Sequence, residues 1–142
     1  MVEHTCDTIK EAMTYLSNIT IIISECPALK LIFRNDVKRI HGALQGYFHF
    51  NGTVNGKPSW RSVPVNEAIW FIPDINTWGI GPLNGIGKKG VWIKSINKKD
   101  EGLFNVPSNK WQYTDKGEWK DIKSGDISII CVKGNKDKNF KT

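Results

Sequence analysis

The sequence has few cysteines and no long apolar run, and each shortage excludes a class of protein. Its three cysteines, Cys6, Cys26 and Cys131, are an odd number at wide spacing without a CxxC pair. This pattern argues against a disulfide scaffold and against a zinc site. No apolar run reaches the roughly 18 residues that a membrane-spanning helix needs, and the candidate Ile19 to Ile23 is only as long as a strand. We therefore predict free thiols and no membrane span.

The first residues also lack the features of a targeting segment. The stretch Met-Val-Glu-His-Thr-Cys-Asp has neither a basic region nor an apolar region, so no signal peptide is predicted and an intracellular location is expected. Thiols stay reduced in that setting. Cys26 and Cys131 lie beside apolar runs and are expected to be small core residues, with a disulfide between them as the alternative.

Residues for catalysis are equally sparse. The histidines, His4, His41 and His49, are scattered, and none stands at metal-ligand spacing from a carboxylate. Residues 85–90 match a GxGxxG pattern, but the strand-like Val-Trp-Ile at 91–93 follows where a nucleotide-binding loop requires a helix. We predict no metal, no cofactor and no enzyme activity, and we keep an enzyme as the third functional hypothesis.

The positive charge comes mostly from lysine. The net charge is +6, 17 of the 20 basic residues are lysines, and residues 72–142 carry most of the excess. Arginine, whose planar fork suits phosphate and base recognition, is scarce, so we interpret the lysines as a solvated surface. A polyanion site and an acidic protein partner are the alternatives, with Lys88 and Lys89 as candidate anion contacts.

One amphipathic helix is predicted, at residues 6–18. Cys6, Ile9, Met13 and Leu16 recur there at helical spacing. The apolar stripe is narrow. The helix therefore either packs on its own domain, which we favour, or docks onto a partner.

From residue 46 onward the pattern is that of an all-β chain. Short β-branched and aromatic runs alternate with Gly, Asn and Pro, without helical periodicity of useful length. Strands are predicted at Tyr47–Phe50, Ser59–Val63, Ile69–Ile72, Thr77–Ile80, Val91–Ser95, Lys110–Thr114, Glu118–Ile122 and Asp126–Val132, with a loop at residues 79–90. Upstream, Thr20–Ser24 is predicted to be a strand, Leu29–Phe33 a strand or a helical turn, and Val37–Leu44 is ambiguous.

All six tryptophans lie between residues 60 and 119. Trp70 and Trp78, and again Trp111 and Trp119, are 8 residues apart, and the two pairs are offset by 41 residues. We interpret each pair as a hairpin in which the two indoles face each other. At least four of the six tryptophans are expected in the core, and an exposed aromatic face that stacks on sugars or bases is the alternative.

An ordered series of motifs runs through residues 40–130. It consists of Gly-Tyr-Phe at 46–48, Asn-Gly-Lys-Pro-Ser-Trp at 55–60, Ile-Trp at 69–70, Trp-Gly-Ile-Gly at 78–81, Val-Trp-Ile at 91–93 and Trp-Gln-Tyr at 111–113, followed by Trp119. This order resembles an uncharacterised Trp/Gly-rich β repeat of multidomain protist proteins, with Gly-x-Tyr, Asn-Gly-x-Pro-x-Trp/Tyr and paired Trp hairpins. The resemblance implies a β fold and no particular chemistry.

These observations predict a mainly β fold, a small barrel or sandwich of about eight short antiparallel strands with one N-terminal helix. We expect a single domain over residues 1–132 and a Lys-rich tail at 133–142; the alternative is an α+β fold in which residues 28–44 add a second helix. The predicted function is a non-catalytic interaction or structural module that binds another protein, for example as a small subunit of a larger assembly. The alternative is binding of a carbohydrate or single-stranded nucleic acid. The candidate binding residues are Trp60, Trp92, Lys88, Lys89 and Lys94.

Overall fold

The computed structural model describes residues 26–62, 64–96 and 101–132. The predicted helix at 6–18, the predicted strand Thr20–Ser24 and the predicted tail at 133–142 lie outside these ranges. Within them, the chain forms one antiparallel sheet of nine strands that is curled into a half-barrel. The predicted mainly β fold is confirmed, as a single curled sheet.

The strands follow one another across the sheet as a meander. They are β1 (Ala28–Phe33), β2 (Gly46–Val54), β3 (Lys57–Ser62), β4 (Glu67–Ile72), β5 (Thr77–Pro82), β6 (Ile93–Ser95), β7 (Trp111–Asp115), β8 (Glu118–Asp121) and β9 (Ile127–Val132). Each strand pairs with the next up to β8, and β9 returns to pair with β1. The eight strands predicted after residue 46 overlap β2 to β9, and the strand alternative for Leu29–Phe33 is confirmed as β1.

Two connections are tight turns that the residue types specify. Asn55 and Gly56 join β2 to β3 with φ of 55° and 83°, and Lys116 and Gly117 join β7 to β8 with φ of 56° and 85°. Two successive residues with positive φ are typical of the type I′ turn, whose twist matches that of paired strands. Asparagine and glycine adopt this conformation readily, whereas the lysine adopts it at a cost in free energy.

The described part contains one α-helix, α1 (Asn35–His41), which continues into a 3-10 turn at Gly42–Leu44. The first half of residues 28–44 is therefore strand β1, and only the second half is helical. Val37 and Leu44 are buried, and Ile40 packs beside them against one face of the sheet. The helix thereby supplies apolar side chains to the main core.

The inner face of the sheet, which carries Leu29 and Phe33 of β1, holds that core. Inward and outward side chains alternate along the strands, as in an antiparallel sheet with one buried face. The largest fully buried side chains on this face belong to β1, β2, β5 and β7. They are Phe33, Phe48, Trp78 and Trp111.

A second, smaller cluster lies on the outer face of the sheet. Trp70 of β4 points outward and is covered by Val91, in the segment that follows β5. Because β5 presents Gly79 and Gly81 there, this segment can approach the strand closely; a Cβ at Gly79 would meet Val91 Cγ1 at 2.5 Å. The stretch 79–90, predicted to be a loop between strands, therefore starts as part of β5 and continues as a cover for the outer face.

The prediction that Trp70 and Trp78 face each other is wrong. Phe71 is the residue opposite Trp78, and Trp70 is opposite Gly79. In an antiparallel hairpin, the residue numbers of each directly opposite pair have the same sum. A shift of the register by one residue therefore moves a side chain to the other face of the sheet. Trp78 therefore belongs to the inner core, whereas Trp70 belongs to the outer cluster.

The same prediction for Trp111 and Trp119 is also wrong. Trp119 lies opposite Thr114 and points outward, where it is 37% exposed, whereas Trp111 is buried on the inner face. The broader expectation that at least four tryptophans are core residues is confirmed. The four buried tryptophans are Trp60, Trp70, Trp78 and Trp111.

Candidate binding cleft

A cleft opens on the inner face, where the residues before β1, strands β3 and β5 and the 3-10 turn Leu103–Asn105 come together. Its volume is about 280 Å³. Its lining is mostly aromatic and apolar and is drawn from segments that are distant in the sequence. The lining includes Cys26, Lys57, Trp60, Trp78, Phe104 and Asn105.

Three aromatic rings wall the cleft. The ring centroid of Trp60 lies 6.3 Å from that of Trp78, at an interplanar angle of 46°, and 5.7 Å from that of Phe104, at 81°. The Trp60–Phe104 pair is edge-to-face, an arrangement that is favourable beyond the area it buries. Trp60 is 3% exposed, whereas Phe104 is 39% exposed. The cleft thus has two fixed walls and one wall that faces solvent.

The indole N–H groups of Trp60 and Trp78 both donate hydrogen bonds within the protein. The indole Nε1–H of Trp60 donates to the carbonyl oxygen of Cys26 at 3.0 Å, and that of Trp78 donates to the carbonyl oxygen of Glu101 at 2.8 Å. An indole has no second hydrogen-bonding atom. The two tryptophans therefore offer a ligand only their apolar rings, and the hydrogen bonds hold those rings in place.

Among the described residues that line the cleft, Lys57 is the only one with a charged side chain. Its Nζ lies 5.1 Å from the ring centroid of Phe71, within the range of a cation–π interaction. The neighbouring Asn105 supplies a side-chain amide. The arrangement is thus an apolar cleft with a basic and an amide group in its lining.

Of the residues predicted to bind, Trp60 lines this cleft and the others lie elsewhere. Lys89 forms an exposed ion pair with Asp74, at 3.3 Å between Nζ and Oδ2. Lys94 and Asp74 line an open depression together. Lys88 is exposed, and its carbonyl oxygen accepts a hydrogen bond from Trp70 Nε1 at 2.9 Å. Lys94 therefore lines this depression and Lys89 lies near it, paired with Asp74, and both are apart from the cleft.

Lys94 also contacts an exposed aromatic ring. Its Nζ lies 4.3 Å from the ring centroid of Trp119. Next to this pair, the amide of Gln112 donates to the Asp121 carboxylate at 2.8 Å. We call Lys94, Gln112, Trp119 and Asp121 the outer platform. Trp92, the fifth predicted residue, is half-buried and packs against the inner core.

The two described cysteines are neighbours at the start of β1. The Cys26 thiol donates to the carbonyl oxygen of Ala28 at 3.0 Å, and neither of these two cysteines is in a disulfide. Burial raises the pKa of Cys26, and the adjacent thiol of Cys131 raises it further. Both contact the apolar core, as the sequence predicted.

Sequence reasoning missed Phe104 and Trp119 as candidate contacts. Phe104 lies in a turn, and an isolated aromatic residue among turn residues is the sequence feature that could have identified it as a contact residue. Trp119 is interpreted from the sequence as the facing partner of Trp111, because a spacing of eight residues fits a hairpin. Apart from the tryptophan, every residue of the strand Glu-Trp-Lys-Asp is charged, and this composition is the sequence signal for an exposed strand.

The described part of the chain has no group of three or more His, Cys, Asp or Glu side chains that could hold a metal ion. No helix among these residues is long and apolar enough to span a membrane. Comparison with protein-family models, curated proteins and solved structures finds no match to this chain.

Proposed function

We propose that this protein is a non-catalytic interaction module that binds a partner protein by holding an uncharged ring side chain of the partner in the aromatic cleft. One observation carries the proposal: the cleft is walled by three rings, and both indole N–H groups are bonded to the protein's own backbone. The indoles offer a charged or strongly polar group no hydrogen bond in exchange for its hydration, so such a group finds a partner only where Lys57 or Asn105 can reach it. An apolar ring has no hydrogen bonds to lose there, and it gains edge and face contacts.

The size of the cleft favours a single side chain. A cavity of about 150 Å³ is enough to hold benzene, and this cleft measures about 280 Å³. Pockets for whole small molecules span roughly 300 to 1,000 Å³. An indole or phenol ring with part of its peptide backbone is therefore the group that fits best.

The test is a titration of the ¹⁵N-labelled full chain with indole and with N-acetyltryptophanamide. Both probes are expected to shift the indole Nε1–H signals of Trp60 and Trp78, and to leave that of Trp70 on the outer face unchanged. Binding of indole alone would show that the cleft takes free molecules and not side chains, which would contradict the proposal. Absence of any shift would contradict it as well.

A matched pair of variants places the site. Phe104 and Trp119 are exposed to nearly the same extent, 39% and 37%, but only Phe104 lines the cleft. Phe104→Ala is expected to weaken binding of both probes about five-fold or more, which corresponds to about 1 kcal/mol. Trp119→Ala is expected to leave it unchanged. The reverse result would move the site to the outer platform.

The outer platform favours a second candidate function, the binding of single-stranded nucleic acid. Lys94 lies over Trp119 at 4.3 Å, so a base that stacked on the indole would leave the ammonium group near the phosphate backbone. Fluorescence anisotropy of labelled oligo-dT at rising salt tests this function. Binding is expected to weaken with salt and to be lost in Trp119→Ala. A neutral glucan that binds in place of the oligonucleotide would assign the platform to carbohydrate.

A further inference from the structure

Cys26 and Cys131 are 105 positions apart in the sequence but adjacent in the fold. The antiparallel register of β1 and β9 places Leu29 opposite Cys131 and Ala28 opposite Val132. Cys26 lies just before this paired segment, in the same apolar cluster as Cys131. The two thiols are close enough that Cys131 raises the pKa of the Cys26 thiol.

Cys26 also belongs to the aromatic cleft. It lines the cleft, and its carbonyl oxygen accepts the indole N–H of Trp60. A change in the backbone conformation of Cys26 would therefore move the acceptor that holds Trp60 in place. The thiol pair and the cleft share one residue.

We propose that Cys26 and Cys131 form a reversible disulfide under oxidising conditions, and that its formation repositions Trp60 in the cleft. Disulfide formation needs no ligand in the cleft. This inference therefore does not depend on the proposed function.

The chemistry requires a two-electron oxidant, for which hydrogen peroxide is the simplest. Cys131 is the more exposed thiol, and Cys26 is 1% exposed. The Cys131 sulfur attacks the peroxide, the O–O bond breaks, and a sulfenic acid and one water form. The Cys26 sulfur then attacks the Cys131 sulfur, the S–O bond breaks, and a second water leaves with the Cys26 proton. Two thiols are oxidised, and one peroxide is reduced to two waters.

Oxidation removes a hydrogen bond that now holds Cys26. Its thiol proton, donated to Ala28 O in the reduced protein, is absent from the disulfide. The Cys26 Sγ must turn from that carbonyl towards Cys131, because a disulfide needs its two sulfurs about 2.05 Å apart. A disulfide also needs its two Cβ atoms about 3.8 Å apart, and any adjustment to reach that separation falls on the Cys26 backbone, whose carbonyl holds Trp60. The start of β1 is then linked covalently to β9.

Peptide mapping of the full chain tests the disulfide. After treatment with hydrogen peroxide, tryptic digestion without reductant places Cys6, Cys26 and Cys131 on three different peptides, since lysines separate them. The expected product links the Cys26 and Cys131 peptides and is broken by dithiothreitol. It is expected to persist in Cys6→Ser, the matched control, and to be lost in Cys131→Ser. A missing link, or one that contains Cys6 instead, would overturn the proposal.

Two further measurements separate the disulfide from its effect on the cleft. The oxidised protein is expected to unfold roughly 5–15 °C higher than the reduced protein, because the cross-link closes a long loop. In ¹⁵N spectra, the Trp60 indole signal is expected to shift on oxidation and to return on reduction, while that of Trp70 stays in place. A disulfide that leaves the Trp60 signal unchanged would overturn the link to the cleft.

Discussion

Phe71 lies directly opposite Trp78 across β4 and β5, and their ring centroids are 5.4 Å apart at an interplanar angle of 64°. The preceding residue, Trp70, lies opposite Gly79 on the other face. Two successive aromatic residues therefore belong to different apolar clusters. Tryptophans that look equivalent in the sequence have different neighbours, and their replacement should have different consequences.

Trp78→Ala is expected to lower the free energy of unfolding by about 3–5 kcal/mol, because a fully buried indole leaves a large cavity. Trp119→Ala is expected to change it by about 0.5 kcal/mol or less, since the ring is partly exposed and makes one cation–π contact. Urea unfolding followed by circular dichroism measures both values. Equal effects for the two variants would contradict the assignment of Trp78 to the core and Trp119 to the surface.

Gly79→Ala is expected to destabilise the protein by about 1–3 kcal/mol, the usual cost of overpacking. The new Cβ would meet Val91 Cγ1 at 2.5 Å, and Val91 is 8% exposed, so it has little room to move. Gly90→Ala is the matched control, because a Cβ at Gly90 has no atom within 4 Å.

Val91→Ala should recover part of the stability lost in Gly79→Ala, because it removes the methyl group that clashes. The interaction energy comes from unfolding curves of both single variants and the double variant. Strictly additive effects would show that the segment after β5 does not rest on Gly79.

Glu67→Gln is expected to stabilise the protein at neutral pH. Burial raises the pKa of Glu67 above its ordinary value, and its Oε2 has no hydrogen-bond partner among the described residues. For an acid with a raised pKa in the fold, the charged form carries a penalty. That penalty is present at neutral pH and is relieved as the pH falls through the folded and then the unfolded pKa.

The stability gap between Glu67→Gln and the wild type should therefore shrink on acidification and vanish below about pH 4, where the unfolded carboxyl is also protonated. Urea unfolding across that pH range measures the gap. Glu118→Gln, in the exposed strand β8, is the control that should show no such gap. A gap for Glu67→Gln that is constant with pH would refute the role of its charge.

Lys116→Asn is expected to stabilise the β7–β8 hairpin. Lys116 has a φ of 56°, a left-handed conformation that costs most residues about 1–2 kcal/mol and that asparagine tolerates better. The gain should be about 0.5–1 kcal/mol in urea unfolding. Lys123→Asn removes the same charge from an exposed position where the structure shows no positive φ, and it should leave stability unchanged. An equal gain in both variants would trace the effect to charge.

The strands and the hairpins could be predicted because their signals are local. Asn55 and Gly56 supply the positive φ of a tight turn within four residues of sequence, and short β-branched and aromatic runs stand on either side. Which face of the sheet Trp70 and Trp78 each occupy could not be predicted from such local signals. Their spacing of eight is compatible with either face, and the choice depends on where the turn between them centres, which shifts the register by one residue.

The sequence alone predicts a series of short antiparallel strands joined by turns, because turn residues and strand propensity act over a few neighbouring positions. It also placed most tryptophans in the core, since there are too few aliphatic residues to fill one. Only the tertiary structure decided which face each tryptophan occupies, and that Cys26 lies beside Cys131. It also decided that Trp60, Trp78 and Phe104 wall one cleft. These relations depend on the register and curl of the whole sheet, which bring together residues that no local pattern connects.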